Sequence, residues 1–199
     1  MKVLGIVGGV ASGKSHVAKA FMSLGAHVID ADLIGHAVLK DPEVKKHLVQ
    51  RLGESILDPQ GEIVRPAVGA LVFGDSSEAK QNRQFLESLS HPRIRSEIQL
   101  QLEKLRLQNC PLVILDAALL IETGLVKLCD AVLFVEVPEA TRLQRAITRG
   151  WTKEQWKTRE ANQMPLAVKR AAAKFVIQND GIEPLLHNQA KQVWETLVR

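Results

Sequence analysis

Short apolar runs alternate with longer amphipathic segments along the chain. Runs rich in valine, isoleucine and leucine occupy residues 3–7, 27–30, 112–117, 131–137 and 175–179. Near-continuous apolar runs of this length are typical of parallel strands that are buried on both faces. The segments between them carry apolar residues at steps of three and four, the spacing of an amphipathic helix. The pattern therefore predicts an α/β fold, with a five-stranded parallel sheet and helices on both of its faces.

The intervals between the predicted strands are uneven. Residues 31–111 separate the second strand from the third, which is more chain than the one crossover helix of a parallel connection requires. A helical insertion is expected there, because apolar steps recur and prolines stand near three of the expected helix starts. A second, strongly basic helical segment is expected over residues 141–173. The helices predicted in the first insertion span residues 42–52, 66–73, 79–89 and 92–108.

The composition limits the classes of protein that fit. At 199 residues with 46% hydrophobic content, the chain is long enough to bury a core as one globular domain. Its apolar runs are far shorter than the ~20 residues of a membrane span, so we expect a soluble, cytoplasmic protein with no membrane partner, monomeric or weakly homo-oligomeric. Cys110 and Cys129 suggest neither a zinc site nor a disulfide framework. The net charge of +4 suits phosphate binding and is too small to indicate a nucleic-acid partner.

One glycine-rich segment has a specific chemical meaning. Residues 8–15 read GGVASGKS and match the Walker A pattern G-x-x-x-x-G-K-[ST] between a predicted strand and a predicted helix. In such a loop, backbone N–H groups cradle phosphate oxygens, the lysine reaches the β and γ phosphates of ATP, and the final hydroxyl ligates Mg²⁺. The alternative is a glycine-rich turn without a ligand. The expected ATP-binding residues here are Gly8, Ala11, Ser12, Gly13, Lys14, Ser15 and His16, with Ser15 as the Mg²⁺ ligand.

Two acidic residues follow the second predicted strand. Asp30 and Asp32 stand at the carboxyl edge where ligands bind in open α/β sheets, and strand alternation would put both carboxylates on one side. A carboxylate there can accept or orient the proton of a hydroxyl acceptor in phosphoryl transfer. From spacing alone either aspartate fits this role, and the alternatives are a helix cap or an outer contact to magnesium. The chain has no N-K-x-D segment, which disfavours a GTPase and favours a small-molecule kinase.

Three arginines are regularly spaced in the second insertion. Arg142, Arg145 and Arg149 are separated by three and four residues, so they are predicted to share one helix face. Such a face would present several guanidinium groups to one polyphosphate. The alternative is a solvated basic surface.

Six segments resemble the dephospho-coenzyme A kinase family, in its order and spacing, over essentially the whole chain. They read GGVASGKS, VIDADLIGHAV, IVRPAV, LESLSHPRI, DAALLIETGL and FVIQNDG. The resemblance implies transfer of the γ-phosphoryl group of ATP, with Mg²⁺, to the ribose 3′-hydroxyl of dephospho-coenzyme A. It implies that Asp32 is the base and that Lys14 and Arg145 take part in catalysis. Within a single kinase domain, it implies a core of residues 1–31, 111–138 and 174–199, an acceptor-binding insertion of residues 32–110 and a lid of residues 139–173.

The resemblance also implies contacts to the acceptor. Arg65, His91 at an H-P-x-I helix start, and Leu119 with Glu122 in a loop after the third strand match the family's pattern. Residue by residue, alternatives stay open. Arg65 is otherwise a surface cation, His91 a helix cap and Glu122 a structural partner.

Contacts to ATP follow from the same resemblance. Arg145 and Arg149 match an R-x-x-x-R motif, and Asn179 falls where related kinases hold adenine, although a turn asparagine is the alternative. The chain departs from the family's pattern in the phosphate loop and elsewhere, and nucleotide affinity is the property that these departures are expected to change. The departures are Val10, Ala11, His16, Ala118 and Lys174.

Two rival functions remain open. One is a nucleoside or nucleotide kinase of similar architecture, which the H-P-x-I and A-L-L-x-E segments disfavour. The other is a nucleotide-binding or nucleic-acid-binding module without catalysis, suggested by the pI near 9.2. The intact Lys14, Ser15 and Asp32 disfavour that module, as does the absence of tyrosine, because base-stacking surfaces use aromatic side chains.

Overall fold

The computed structural model describes residues 1–74 and 76–198. Within them, five strands and nine α-helices follow one another along the chain, with short 3-10 helices at Glu54–Ile56 and Leu125–Leu128. The strands are β1 (Lys2–Gly8), β2 (His27–Asp30), β3 (Leu112–Asp116), β4 (Ala131–Glu136) and β5 (Phe175–Gln178). The helices are α1 (Lys14–Met22), α2 (Ala31–Val38), α3 (Pro42–Leu52), α4 (Arg65–Val72), α5 (Ser77–Leu107), α6 (Glu139–Thr148), α7 (Lys153–Ala161), α8 (Leu166–Ala171) and α9 (Glu183–Leu197).

The strands form one sheet in the order β2-β3-β1-β4-β5, and every neighbouring pair is parallel. This confirms the predicted five-stranded parallel α/β fold. Buried valine, leucine and isoleucine side chains of β1, β3 and β4 form the core together with α1 and α9. Since β1 is central, the turn that leaves its carboxyl end lies in the middle of the edge where ligands bind in such sheets.

The chain divides into two compact units. The first contains residues 1–30 and 101–199 and carries the whole sheet. The second, Ala31–Leu100, is helical and has its own apolar cluster around Val44, Leu48 and Val68. Helices therefore occupy the long interval between β2 and β3, and three more helices, α6 to α8, occupy the interval between β4 and β5.

Helix α5 corrects one prediction. Residues 79–89 and 92–108 were expected to form two helices, with Pro92 near the start of the second, but Ser77–Leu107 is one helix with Pro92 inside it. Proline lacks the N–H that the preceding turn needs. Side chains on either side of the proline add hydrogen bonds to helix carbonyls: Ser90 Oγ donates to the Leu86 carbonyl at 2.7 Å, and Arg93 Nη1 donates to the Leu89 carbonyl at 2.9 Å. His91 is consequently inside a helix and is not at a helix start.

The last helix bonds to the edge of the sheet. Gln189 of α9 accepts a hydrogen bond from the backbone N–H of Gln178 in β5 and donates one to the carbonyl of the same residue, at 3.0 and 3.1 Å.

No helix among residues 1–74 and 76–198 is long and apolar enough to cross a bilayer.

Candidate active site

The phosphate loop, residues 8–15, connects the central strand β1 to helix α1. Its turn is closed by a hydrogen bond from Ser12 N–H to the Gly9 carbonyl at 3.1 Å. Gly13 directly precedes α1 with φ 81° and ψ 34°, a left-handed conformation that glycine adopts without a Cβ clash. The first turn of α1 has no side-chain cap and no acidic residue. The positive end of the α1 dipole is therefore not neutralised by a side chain of the first turn, which favours an anion there.

Ala11 is the strained residue of this loop. Its φ is 63°, in the left-handed region that costs an alanine roughly 1–2 kcal/mol. The side chain is buried beside Val10, Ala146 and Trp156. Alanine at this position therefore gives up backbone freedom and gains apolar contact.

Ser15 and Asp116 form a pair of oxygen ligands at the start of α1. Ser15 Oγ donates to Asp116 Oδ2 at 3.3 Å, and Asp116 ends β3, in register with Ile6 of the central strand. Hydroxyl and carboxylate oxygens suit Mg²⁺, which is usually held by one or two carboxylates together with substrate phosphates and water. In the described part of the chain, no group of three or more His, Cys, Asp or Glu residues is arranged to hold a metal by itself. The chemistry of the Ser15–Asp116 pair fits a cation that arrives with a polyphosphate.

Asn179 holds the phosphate loop from the side of β5. Its side-chain amide donates to the carbonyls of Ser12 at 2.8 Å and Gly13 at 3.4 Å, and the residue is 6% exposed. Arg145 donates to the Ser12 carbonyl at 3.3 Å and to the Asn179 carbonyl at 2.7 Å. The structure thus brings four predicted ATP-binding residues together. It gives the amide of Asn179 a role in holding the loop, and an adenine contact stays a prediction.

His16 extends this arrangement toward α9. Its Nδ1 lies 3.1 Å from Asn179 Oδ1, and its Nε2 lies 3.1 Å from Glu183 Oε2. The imidazole therefore links the first turn of α1 to the first turn of α9. Histidine at this position therefore contacts both Asn179 and Glu183.

The three arginines of the second insertion lie in different environments, and their contact with a polyphosphate stays a prediction. Arg142 is buried and forms an ion pair with Glu160 of α7. Arg145 is half-buried against the loop, and Arg149 is exposed and follows the last residue of α6. A helical repeat says which residues lie on one side of a helix, but packing against α7 decides which of them solvent reaches.

Glu122 has partners within the protein. It lies 3.2 Å from Lys169 Nζ and accepts a hydrogen bond from Met164 N–H at 2.8 Å. Burial by itself raises the pKa of the Glu122 carboxyl, but backbone hydrogen bonds and the Lys169 charge outweigh burial, so the pKa is lowered. Lys169 is almost fully buried and also donates to Gln163 Oε1 at 2.8 Å. These contacts support the structural alternative for Glu122. Leu119 is half-buried, and its carbonyl accepts a hydrogen bond from the Thr123 hydroxyl at 2.8 Å.

Comparison with known proteins agrees with this geometry. The family model described as dephospho-CoA kinase matches residues 2–184. The chain belongs to the dephospho-CoA kinase family. A Geobacter sulfurreducens dephospho-CoA kinase is 39% identical over 98% of both chains. A solved Thermus thermophilus protein superposes with a TM-score of 0.87 at 30% identity, covering 100% of this chain and 98% of its own. The solved Campylobacter jejuni dephospho-CoA kinase has a TM-score of 0.72 at 25% identity, covering 98% and 96%.

In this member of the dephospho-CoA kinase family, three of the predicted acceptor residues, Asp32, Arg65 and His91, lie in the second compact unit, and Leu119 and Glu122 lie in the first. Asp32 is exposed in the first turn of α2. The expectation that strand alternation carries through Asp30 and Asp32 is therefore wrong, because β2 ends at Asp30. Arg65 is the exposed first residue of α4, and His91 is half-buried within α5. The first-turn position of Asp32 is one where a carboxylate also stabilises a helix.

Three residues near the phosphate loop of this dephospho-CoA kinase family member were not predicted from the sequence: Asp116, Glu160 and Trp156. Asp116 had a local signal, since it is the first acidic residue after the apolar run of β3, as Asp30 is in β2. Glu160 and Trp156 had none. They contact Val10, about 150 positions away along the chain, and only the packed structure brings them there.

Proposed function

We propose that this protein transfers the γ-phosphoryl group of ATP to the ribose 3′-hydroxyl of dephospho-coenzyme A, producing coenzyme A and ADP in the last step of coenzyme A biosynthesis. The ordered phosphate loop is the observation that supports this function most directly, because it occurs in a chain that belongs to the dephospho-CoA kinase family. Phosphoryl transfer depends chiefly on positioning and on stabilising charge.

ATP binds along the phosphate loop in this proposal. Backbone N–H groups of Ala11 and of residues 13–15 receive the phosphate oxygens, while the Ser12 N–H bonds to the Gly9 carbonyl, and Lys14 contacts the β and γ phosphates. Ser15 and Asp116 would hold Mg²⁺, and a bound Mg²⁺ would supply positive charge against the charge that develops on the phosphates. Their 3.3 Å separation places two hard oxygen ligands side by side at the end of the loop.

The dephospho-coenzyme A substrate binds to residues of the helical insertion, residues 32–110, in this proposal. Asp32 accepts or orients the proton of the ribose hydroxyl, and Arg65 and His91 contact the acceptor. Leu119 and Glu122 are proposed to complete the acceptor site, although Lys169 and Met164 already engage the Glu122 carboxylate. Residues 139–173 form the lid, from which Arg145 and Arg149 contact the triphosphate. Arg145 has the stronger support, because its guanidinium already lies at the loop.

An ADP-release assay with a panel of acceptors tests the function. We expect dephospho-coenzyme A to outperform adenosine and AMP greatly, because binding of the remote pantetheine and diphosphate groups positions the hydroxyl for attack. Removal of Mg²⁺ with a chelator should abolish turnover. The Lys14→Ala control should lose about 10²-fold or more in turnover, as loss of a positioned charge-stabilising group does elsewhere. A preference for AMP would instead assign the chain to the nucleotide kinases. The cytoplasmic location and the monomeric or weakly oligomeric state expected from the sequence stay predictions.

A further inference from the structure

A buried ion pair lies next to the phosphate loop. Arg142 of α6 donates through Nη1 to both carboxylate oxygens of Glu160 in α7, at 2.7 and 2.5 Å. The two side chains are 5% and 23% exposed. Neither residue belongs to the expected ATP-binding set, and neither takes part in the proposed chemistry.

The backbone N–H and carbonyl of Val10 form hydrogen bonds with Glu160 of this pair and with the neighbouring Trp156. Val10 N–H donates to Glu160 Oε2 at 3.3 Å, and the Val10 carbonyl accepts from Trp156 Nε1 at 3.3 Å. Arg142 Nη1 lies 3.5 Å from the same carbonyl, and its Cζ is 5.3 Å from the Trp156 ring. The Val10 side chain packs in an apolar cluster with Trp156 and Ala146. Helices α6 and α7 therefore fix the backbone at the third residue of the loop.

Gly9 makes room for this arrangement. A Cβ atom on Gly9 would lie only 2.7 Å from Arg142 Cζ, closer than real Cβ contacts come. The guanidinium is buried and bonded to Glu160, so it cannot move away freely. The second glycine of the loop is thus required by an arginine of the protein, in addition to any requirement of a phosphate.

The Arg142–Glu160 ion pair is not expected to add much to the stability of the fold. Removing two charges from water costs free energy that their attraction often fails to recover. In addition, Arg142 Nε makes no hydrogen bond to any residue that the structure describes, although it is buried, and a buried donor without a partner is destabilising. The arrangement does supply a fixed geometry at Gly9 and Val10, directly before the N–H groups that face a phosphate.

We propose that Arg142 and Glu160 are positioning residues of the nucleotide site. They hold Gly9 and Val10 so that the N–H groups of residues 11–15 are already ordered when the polyphosphate of a nucleotide arrives. A loop that is ordered in advance binds more tightly, because binding does not have to order it. This inference rests on the proposed binding of ATP at the loop, but not on the identity of the acceptor.

The test replaces the pair by apolar side chains of similar size. Arg142→Met combined with Glu160→Leu removes both charges together, so no buried charge is left alone. The melting temperature should change little, because relief from burying two charges offsets the loss of the partner of Val10 N–H. We expect the Kd for Mg·ADP, measured by calorimetry, to rise about tenfold, because binding of the nucleotide then has to order the phosphate loop. Amide hydrogen exchange over residues 9–13 should become faster in the protein without nucleotide. The Kd for dephospho-coenzyme A should change by less than about threefold, because the change acts on the loop.

A matched control makes the same change at an ion pair between α8 of the lid and the end of β4. Arg170 and Glu136 form a half-exposed pair at 3.6 Å, and Arg170→Met combined with Glu136→Leu should leave the Kd for Mg·ADP at the wild-type value. Wild-type ADP affinity and wild-type exchange in the Arg142/Glu160 double variant would overturn the proposal. If that variant does not fold, Glu160→Gln preserves the side-chain volume, and an unchanged Kd and unchanged exchange in it would overturn the proposal equally.

The proposed function can fail separately. A wild-type protein that binds Mg·ADP but does not phosphorylate dephospho-coenzyme A would refute the assigned acceptor. The positioning role would still be measured by nucleotide affinity and by exchange, which use no acceptor.

Discussion

Arg145 Nη2 donates a hydrogen bond to the backbone carbonyl of Asn179 at 2.7 Å, while Nη1 reaches the Ser12 carbonyl at 3.3 Å. One guanidinium therefore bridges the phosphate loop and the residue that follows β5. The protein's own backbone orients the arginine, so a substrate finds it in place.

Arg145→Ala should lower kcat/KM for ATP by about 10²-fold, because a preorganised cation at the transferring phosphoryl group is removed. Steady-state kinetics at saturating acceptor measure the effect. Arg149→Ala should have a smaller effect, since Arg149 is exposed after the end of α6. Lys153→Ala, at an exposed basic residue that begins α7, serves as the control. If Arg145→Ala and Lys153→Ala behaved alike, the arginines would be only a solvated basic surface.

Asp32→Asn should reduce turnover by about 10²- to 10⁴-fold, the usual worth of a positioned base, while binding of ATP and dephospho-coenzyme A stays near normal. Asp30→Asn is the matched control, two residues earlier at the end of β2. Kinetics and calorimetry on both variants separate chemistry from binding. An Asp32→Asn enzyme within a few-fold of the wild type would assign Asp32 to the helix-stabilising alternative.

Ala11→Gly should change the free energy of unfolding by less than about 1 kcal/mol. Relief of a left-handed alanine gains roughly 1–2 kcal/mol, but added freedom of the unfolded chain costs about 0.4–1 kcal/mol and loss of a buried methyl about 0.8 kcal/mol. Ala18→Gly, at a buried position within α1, should cost about 2 kcal/mol, because no strain is relieved there. Urea unfolding compares the two variants. Equal losses would mean that the left-handed conformation at Ala11 is not retained in solution.

Glu122→Gln should lower stability by about 1–3 kcal/mol at pH 7, because buried Lys169 loses its charged partner. The folded protein lowers the pKa of Glu122, so its carboxylate adds stability above the unfolded value of ~4.3. That contribution is lost as the pH falls through the lowered folded pKa. The free energies of unfolding of the wild type and of Glu122→Gln should therefore converge as the pH falls from 5 toward the acid limit of folding. A difference that stayed constant down to pH 3 would contradict this account.

The sequence predicted the sheet well because β1, β3 and β4 are buried on both faces, and burial of this kind leaves a continuous apolar run. The helix prediction failed at Pro92 because proline is common at helix starts but can also lie inside a helix. Local spacing does not show that Ser77–Leu107 continues as one helix through Pro92.

For the candidate site as well, residues within a local motif were predicted, and residues whose environment depends on a distant partner were not. Lys14 and Ser15 were predicted because a phosphate loop is encoded in eight consecutive residues. The burial of Arg142 was not predicted, because it depends on Glu160, 18 residues away in the next helix. Residues that depend on such a partner become visible only when the helices pack together.

The two hydrogen bonds between Gln189 and Gln178 bear on how the protein behaves at high concentration. A sheet edge with free backbone groups invites pairing with a strand of another molecule, which is a common route to aggregation. At Gln178 the side-chain amide of Gln189 takes the place of such a strand, since it bonds to both the N–H and the carbonyl. Strand β5 is only four residues long, so one glutamine shortens an already small template for association between molecules.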